Sequence, residues 1–186
     1  MPPTVRLRSR ALTELLHGDA VKPATTTIGQ PDTGRTGDNG AARAKRLRSE
    51  AARLRRVAGE YLDRAAELVA EGEPMPARRL RDLAEMSSCH YMAYDELAIA
   101  VEYRGRAGRF ARGSHAHEVE VQRAYAAIRR AEGQRERGEA VRRRGDAFAE
   151  ARHRKLAEEA EEKARVAELR AAELLEAQAG RRGEVP

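Results

Sequence analysis

The sequence predicts an all-α protein: an elongated helical hairpin followed by a long third helix that ends in a coiled-coil-like arm. Charged residues make up 35% of the 186 residues and hydrophobic residues 41%, with alanine supplying much of the latter. Aromatic residues are 4% and there is no Trp, so the chain has little material for a thick globular core. Apolar residues recur three and four positions apart over long stretches, which is the spacing of helices that pack along one face.

The first 40 residues differ in composition from the rest and predict a flexible basic N-terminal arm and linker. Residues 5–17 can form a short amphipathic helix, because Leu7, Leu12 and Leu15 fall on one side of it. The stretch from Gly18 to Gly40 is rich in Thr, Gly, Pro and Asp, and it buries too little surface to offset the entropy of ordering it.

Residues 41–132 are expected to form a three-helix packed core. In the first helix, 41–71, apolar positions alternate three and four apart without a fault. Gly72 to Pro76 then interrupts the helical pattern. The second helix, 77–103, is apolar around most of its circumference, so we expect it to have neighbours on more than one side. A third helix, 114–132, is apolar enough to pack back on the other two.

Residues 133–179 are expected to continue the third helix as an extended charged arm, followed by a disordered tail at 180–186. Four consecutive heptads from Arg123 to Glu150 each open with arginine, and their 3-then-4 spacing favours supercoiling against a partner helix. The pattern leaves open whether the helix is continuous through Gly133, Gly138 and Gly145. The residues predicted to mediate self-association are Ala124, Ala127, Ala131, Gly138, Val141, Gly145 and Phe148.

Two basic clusters suggest an alternative function, nucleic-acid binding, to which the N-terminal arm would also contribute. The net charge is +6, and almost all of the positively charged residues are arginine, whose planar guanidinium group suits phosphate. A GC-rich genome would also enrich arginine and alanine. The clusters comprise Arg43, Lys45, Arg46, Arg48, Arg53, Arg55 and Arg56 in the first helix, and Arg104, Arg106, Arg109 and Arg112 in a glycine-studded loop. A competing interpretation is that they pair with acidic stretches such as Glu158, Glu159, Glu161 and Glu162.

No catalytic, cofactor or metal site is predicted. His115 and His117 have no accompanying ligand cluster with zinc-like spacing, and consecutive helical residues such as Cys89 and His90 point about 100° apart. The single cysteine fits a reducing compartment, and no apolar run approaches the length of a membrane span. We therefore expect a cytoplasmic, non-enzymatic interaction or scaffold protein that associates with itself or with another helical protein through the arm.

Overall fold

The computed structural model describes the backbone of residues 38–183 and the side chains of residues 39–180. The predicted helix at 5–17, nearly all of the predicted flexible arm at 1–40 and the end of the predicted tail lie outside these residues. The described part of the chain contains four α-helices and no strand, which confirms the all-α class. They are α1 (Asp38–Ala70), α2 (Pro74–Ala107), α3 (His115–Arg142) and α4 (Ala147–Gly183).

Each helix packs antiparallel on the helix that precedes it in the chain. Among the described residues, close backbone contacts join α1 to α2, α2 to α3 and α3 to α4, and they join no other pair of helices. All four helices belong to one compact unit, residues 35–186. The second and third helices therefore have a neighbour on two sides, whereas α1 and α4 each pack on a single helix.

Small residues at seven-residue intervals let the helices approach closely. Ala44, Ala51, Ala58 and Ala65 of α1 are all at most 4% exposed. In α3, a Cβ placed on Gly133 would lie 3.3 Å from a backbone oxygen of α4. A Cβ on Gly138 would lie 3.2 Å from the ring of His90 on α2. Because α3 is lined with small residues on two sides, it fits between two neighbours with little bulk to separate them.

The prediction that 133–179 extends away from a three-helix core is wrong, because the third helix ends at Arg142 and the chain turns back. Gly145 has φ +102°, a conformation that favours glycine, and it lies in the turn between α3 and α4. The carboxylate of Asp146 accepts a hydrogen bond from the Ala149 backbone N–H at 3.0 Å and so caps the start of α4. The helix then continues to Gly183, beyond the predicted end at 179.

The chain turns back because α4 has an alanine face that packs against α3. Val119 of α3 clusters with Ala171 and Leu174, and Ala126 clusters with Ala164 and Ala167, two turns earlier in α4. The buried residues of this face are Ala157, Ala160, Ala164, Ala167, Ala171 and Leu174. A helix with such a face gains more by burying it than by projecting into solvent.

None of the four helices is both long and apolar enough to cross a membrane.

Candidate functional site

The first predicted basic cluster lies in the half of α1 that packs beside the end of α2, where the second cluster begins. The Arg48 guanidinium is 2.7 Å from the Glu102 carboxylate, which joins the first half of α1 to the end of α2. Since α1 and α2 are antiparallel, the cations near residue 43 lie level with those near residue 106. Residues 57–103 separate the two clusters in the sequence, so the clusters come near each other only in the folded protein. We call the eleven predicted cations on 43–56 and 104–112 the basic surface.

Most cations of the basic surface have no acidic partner among the residues whose side chains the structure describes. Ten of the eleven are exposed and Arg53 is half-buried. Three are paired with a carboxylate: Arg48 with Glu102, Arg53 with Glu50 at 2.5 Å, and Arg106 with Glu120 at 3.0 Å. No ion pair within the described residues involves the other eight, which are Arg43, Lys45, Arg46, Arg55, Arg56, Arg104, Arg109 and Arg112.

The high fraction of unpaired cations sets this surface apart from the rest of the molecule. Five of the six arginines of α3 pair with an acid, either on their own helix or on a neighbour. Arg130, for example, contacts both Glu96 on α2 and Glu168 on α4. Positive charge is therefore largely neutralised along α3 and left uncompensated at the basic surface.

The interpretation that the basic clusters pair with the acidic stretch at 158–162 is wrong for the described residues. The first helix makes close backbone contact only with α2, so α1 and α4 are not neighbours. Glu161 instead pairs with Arg137 of α3 at 2.5 Å, and Glu162 pairs with Arg165 on its own helix. The acidic stretch does not neutralise the cations of α1 within one chain.

Arg106 has a structural role within the basic surface. Its guanidinium lies 4.3 Å from the centre of the Tyr103 ring, and its Nε is 3.0 Å from Glu120, which is only 8% exposed. Arg104 and Arg106 were expected in a loop, but α2 continues to Ala107 and both belong to its last turn. The loop that follows carries Arg109 and Arg112.

Both ends of this loop are fixed by hydrogen bonds. The Ser114 hydroxyl accepts a bond from the His117 backbone N–H at 3.2 Å and caps α3. The His117 ring nitrogen Nδ1 lies 3.0 Å from the Ala107 carbonyl oxygen, which ties the start of α3 to the end of α2. The loop between them, which carries Arg109 and Arg112, is thus fixed at both ends to the helices that it connects.

Glu50 is the single acidic residue between Arg43 and Arg56, and its carboxyl group remains charged at neutral pH. A hydrogen bond from Arg53 lowers the pKa of the Glu50 carboxyl, and the same bond raises the pKa of Arg53. This ion pair therefore compensates the charge of Arg53 and leaves the charges of the other cations of the basic surface uncompensated by Glu50.

The residues predicted to mediate self-association fall into two environments. Phe148 is 83% exposed at the start of α4, and Gly145 is exposed in the turn before it. The other five are buried within the chain, namely Ala124, Ala127, Ala131, Gly138 and Val141. The heptad spacing of α3 thus reflects packing against its own neighbours, and these five side chains are not available to a second copy in this fold.

The histidine and cysteine side chains of the helix seams are placed for packing between helices. His153 on α4 lies 2.7 Å from Glu136 on α3. Burial raises the pKa of the Cys89 thiol and lowers the pKa of the neighbouring His90 ring. Within residues 38–183, no group of three or more His, Cys, Asp or Glu side chains is arranged to hold a metal ion.

Sequence reasoning found the cations of the basic surface but missed the contacts that organise it. The ion pair from Arg106 to the buried Glu120 joins α2 to α3, and nothing in the spacing of the two residues indicates it. Comparisons of the chain with protein-family models, with curated proteins and with solved structures found no match.

Proposed function

We propose that this protein binds the phosphate backbone of nucleic acid through the basic surface. The observation that supports this most strongly is the presence of eight exposed cations, in the first half of α1 and around the end of α2, that have no acidic partner among the described residues. Arginine presents several N–H donors in one plane and binds phosphate oxygens in pairs. An uncompensated cluster of this kind gains free energy when it replaces the counterions condensed on DNA.

The composition of the surface favours duplex backbone over stacked single-stranded bases. Binding of single strands depends on several aromatic rings between the cations. Here the Tyr103 ring is covered by Arg106, and Phe110 in the loop is 44% exposed. Contact with phosphate supplies affinity without reading sequence, so we expect salt-sensitive binding with little sequence preference.

Fluorescence anisotropy with a labelled duplex, across a series of salt concentrations, tests this proposal. If about four of the eight cations contact phosphate, the logarithm of the affinity falls with the logarithm of salt concentration with a slope of about −3.6. Replacing Arg43 and Arg46 together by Glu removes two contacts, so the slope becomes shallower by about 2 and the affinity at low salt falls at least tenfold.

A matched control separates the basic surface from net charge. Arg165→Glu with Arg170→Glu changes the net charge by the same amount on α4, where each arginine pairs with a nearby glutamate. This variant should bind the duplex with nearly the wild-type slope. Absence of wild-type binding at low salt, or an equal loss in both variants, would contradict the proposal.

A second candidate is a non-enzymatic interaction protein that associates with a copy of itself or with another helical protein. The observation that favours it is that α1 and α4 each pack on a single helix among the described residues and carry exposed apolar residues. The proposal no longer depends on the heptads of α3, because most of their seam residues are buried inside the chain.

A further inference from the structure

A flank of α1 next to the face that packs on α2, called the outward face below, carries apolar and small side chains that no described helix covers. Leu62 is 52% exposed and Val69 is 47% exposed. A Cβ placed on Gly59 would meet nothing within 4 Å, so no contact with another described residue requires glycine at this position. Ala52 and Ala66 are also exposed. The spacings from 52 to 59, 62, 66 and 69 are seven, three, four and three residues, which places all five on one side of the helix.

This outward face repeats the pattern of the face that packs on α2. The buried face has alanine at every seventh position from Ala44 to Ala65, with larger residues between them. One position further along, Ala52, Gly59 and Ala66 follow the same interval. The backbone of another helix can therefore approach the outward face as closely as α2 approaches the inner one.

The distribution of charge along α1 determines which helix fits this face. Residues 39–56 contain seven cations and one acid, whereas residues 57–73 contain five acids and one cation. Two copies of this helix packed in parallel would place like charges together. In the antiparallel arrangement, the basic half of each copy lies along the acidic half of the other, which is electrostatically complementary.

We infer that the outward face of α1 is the interface of a homodimer in which two copies of α1 pack antiparallel about a two-fold axis near Gly59. In this register Ala52 lies level with Ala66 of the second copy, and Arg55 lies level with Asp63 of the second copy. The interface is closed by two copies because both use the same face. This inference rests on the association candidate, to which it gives a surface and a partner, and it uses Arg55 of the basic surface as a contact between the two copies.

Light scattering on the full chain tests the dimer. The wild-type protein should have a mass of about 41 kDa, which is twice the chain mass of 20.6 kDa. Replacing Leu62 and Val69 together by Gln removes apolar contact without changing charge and should give the mass of one chain. The matched control replaces Val166 and Leu169 of α4, which are 55% and 52% exposed, by Gln and should stay dimeric.

Exchange of charges tests the antiparallel register. Arg55→Asp should weaken the dimer about tenfold, because the two-fold axis repeats each unfavourable pair. Adding Asp63→Arg to the same chain restores opposite charges across both pairs and should return the dimer Kd to near the wild-type value. Residues 55 and 63 are eight apart on one helix, so their contact within the same chain cannot produce this rescue.

The alternative arrangements give different results. A monomeric wild-type protein would overturn the inference, as would a dimer that survives loss of Leu62 and Val69 in a variant of unchanged helical content. If the wild-type protein forms assemblies larger than a dimer and the variant of Val166 and Leu169 does not, then α1 packs on α4 of another copy. That result would also overturn the inference. Duplex binding is measured on the wild-type protein and on the variant of Leu62 and Val69, whose substitutions leave every cation of the basic surface in place. Its absence in both contradicts nucleic-acid binding and leaves the mass prediction standing.

Discussion

Replacing Gly133 by leucine tests the close approach of α3 and α4, on which the folded-back position of the last helix depends. A Cβ on Gly133 lies 3.3 Å from the Ala157 carbonyl oxygen and 3.3 Å from Cγ of Glu161. The Glu161 side chain can rotate away, but the carbonyl belongs to the backbone of α4 and cannot move without displacing the helix. The leucine side chain beyond Cβ enlarges this clash in a seam made of small residues.

The expected loss of stability follows from two opposing terms. Leucine gains about 0.8 kcal/mol over glycine in helix propensity, whereas overpacking of a filled core costs about 1–3 kcal/mol. Because the blocking atom is backbone, we expect a cost near the upper end and a net loss of about 2 kcal/mol in the free energy of unfolding. Gly133→Ala should change it by less than about 1 kcal/mol, since the propensity gain offsets one tight contact.

Urea unfolding followed by far-UV circular dichroism measures these changes. Gly105→Ala is the matched control, because this glycine lies in the last turns of α2 and a Cβ there meets nothing within 4 Å. It should raise the free energy of unfolding by about 0.5–1 kcal/mol. If Gly133→Leu is as stable as the wild-type protein, α3 and α4 do not approach at this point and the reasoning fails.

Two further predictions concern the turn after α3 and a buried histidine. Gly145→Ala should lower the free energy of unfolding by about 1–2 kcal/mol, because its φ of +102° is strained for alanine; unchanged urea midpoints would contradict this. Burial lowers the pKa of His90 from its ordinary value of 6.5. The nearby Glu139 carboxylate raises this pKa, whereas Arg135 and Arg142 lower it further. The unfolded chain therefore takes up the proton first, so stability should fall as the pH drops below about 6.5 and towards the lowered pKa. His90→Gln should show a smaller fall between pH 7.5 and 5.5, and an equal fall would show that other groups cause it.

The sequence pattern located the first two helices well, because glycine and proline mark the boundary between them. The first helix was expected at 41–71 and runs Asp38–Ala70, and the second was expected at 77–103 and runs Pro74–Ala107. In both cases the break at Gly72 and Pro74 ends one helix and starts the next, because glycine and proline act on the backbone directly. The second helix extends past Arg104 since Gly105 is tolerated within its last turns.

The turn at 143–146 was missed because the heptad spacing continues across it. Arg144 and Gly145 occupy the opening positions of a fourth heptad, so the pattern hides the end of the helix. The local signal was Gly145 followed by Asp146, a glycine at a helix end next to a side chain that caps the following helix. Arg144 contacts Asp82 and Glu85 on α2, which anchors the turn to the bundle.

The position of α4 could not be predicted from its charge. Its many Glu and Arg residues indicated a solvated arm, but alanines from Ala157 to Ala171 form a narrow buried face beneath them. Alanine contributes little to apolar periodicity, because its side chain is small, yet it packs a seam closely. The sequence also could not predict that the two basic clusters lie near each other, because their proximity depends on the antiparallel packing of α1 and α2.

The most direct test of the central claim is the number of short duplexes that each chain binds. If 43–56 and 104–112 form one surface, one duplex binds per surface. Arg46→Glu and Arg109→Glu should then each lower the affinity while leaving the stoichiometry unchanged. If each substitution instead removes half of the bound duplex and leaves the affinity of the remainder intact, the two segments are separate sites and the claim is wrong.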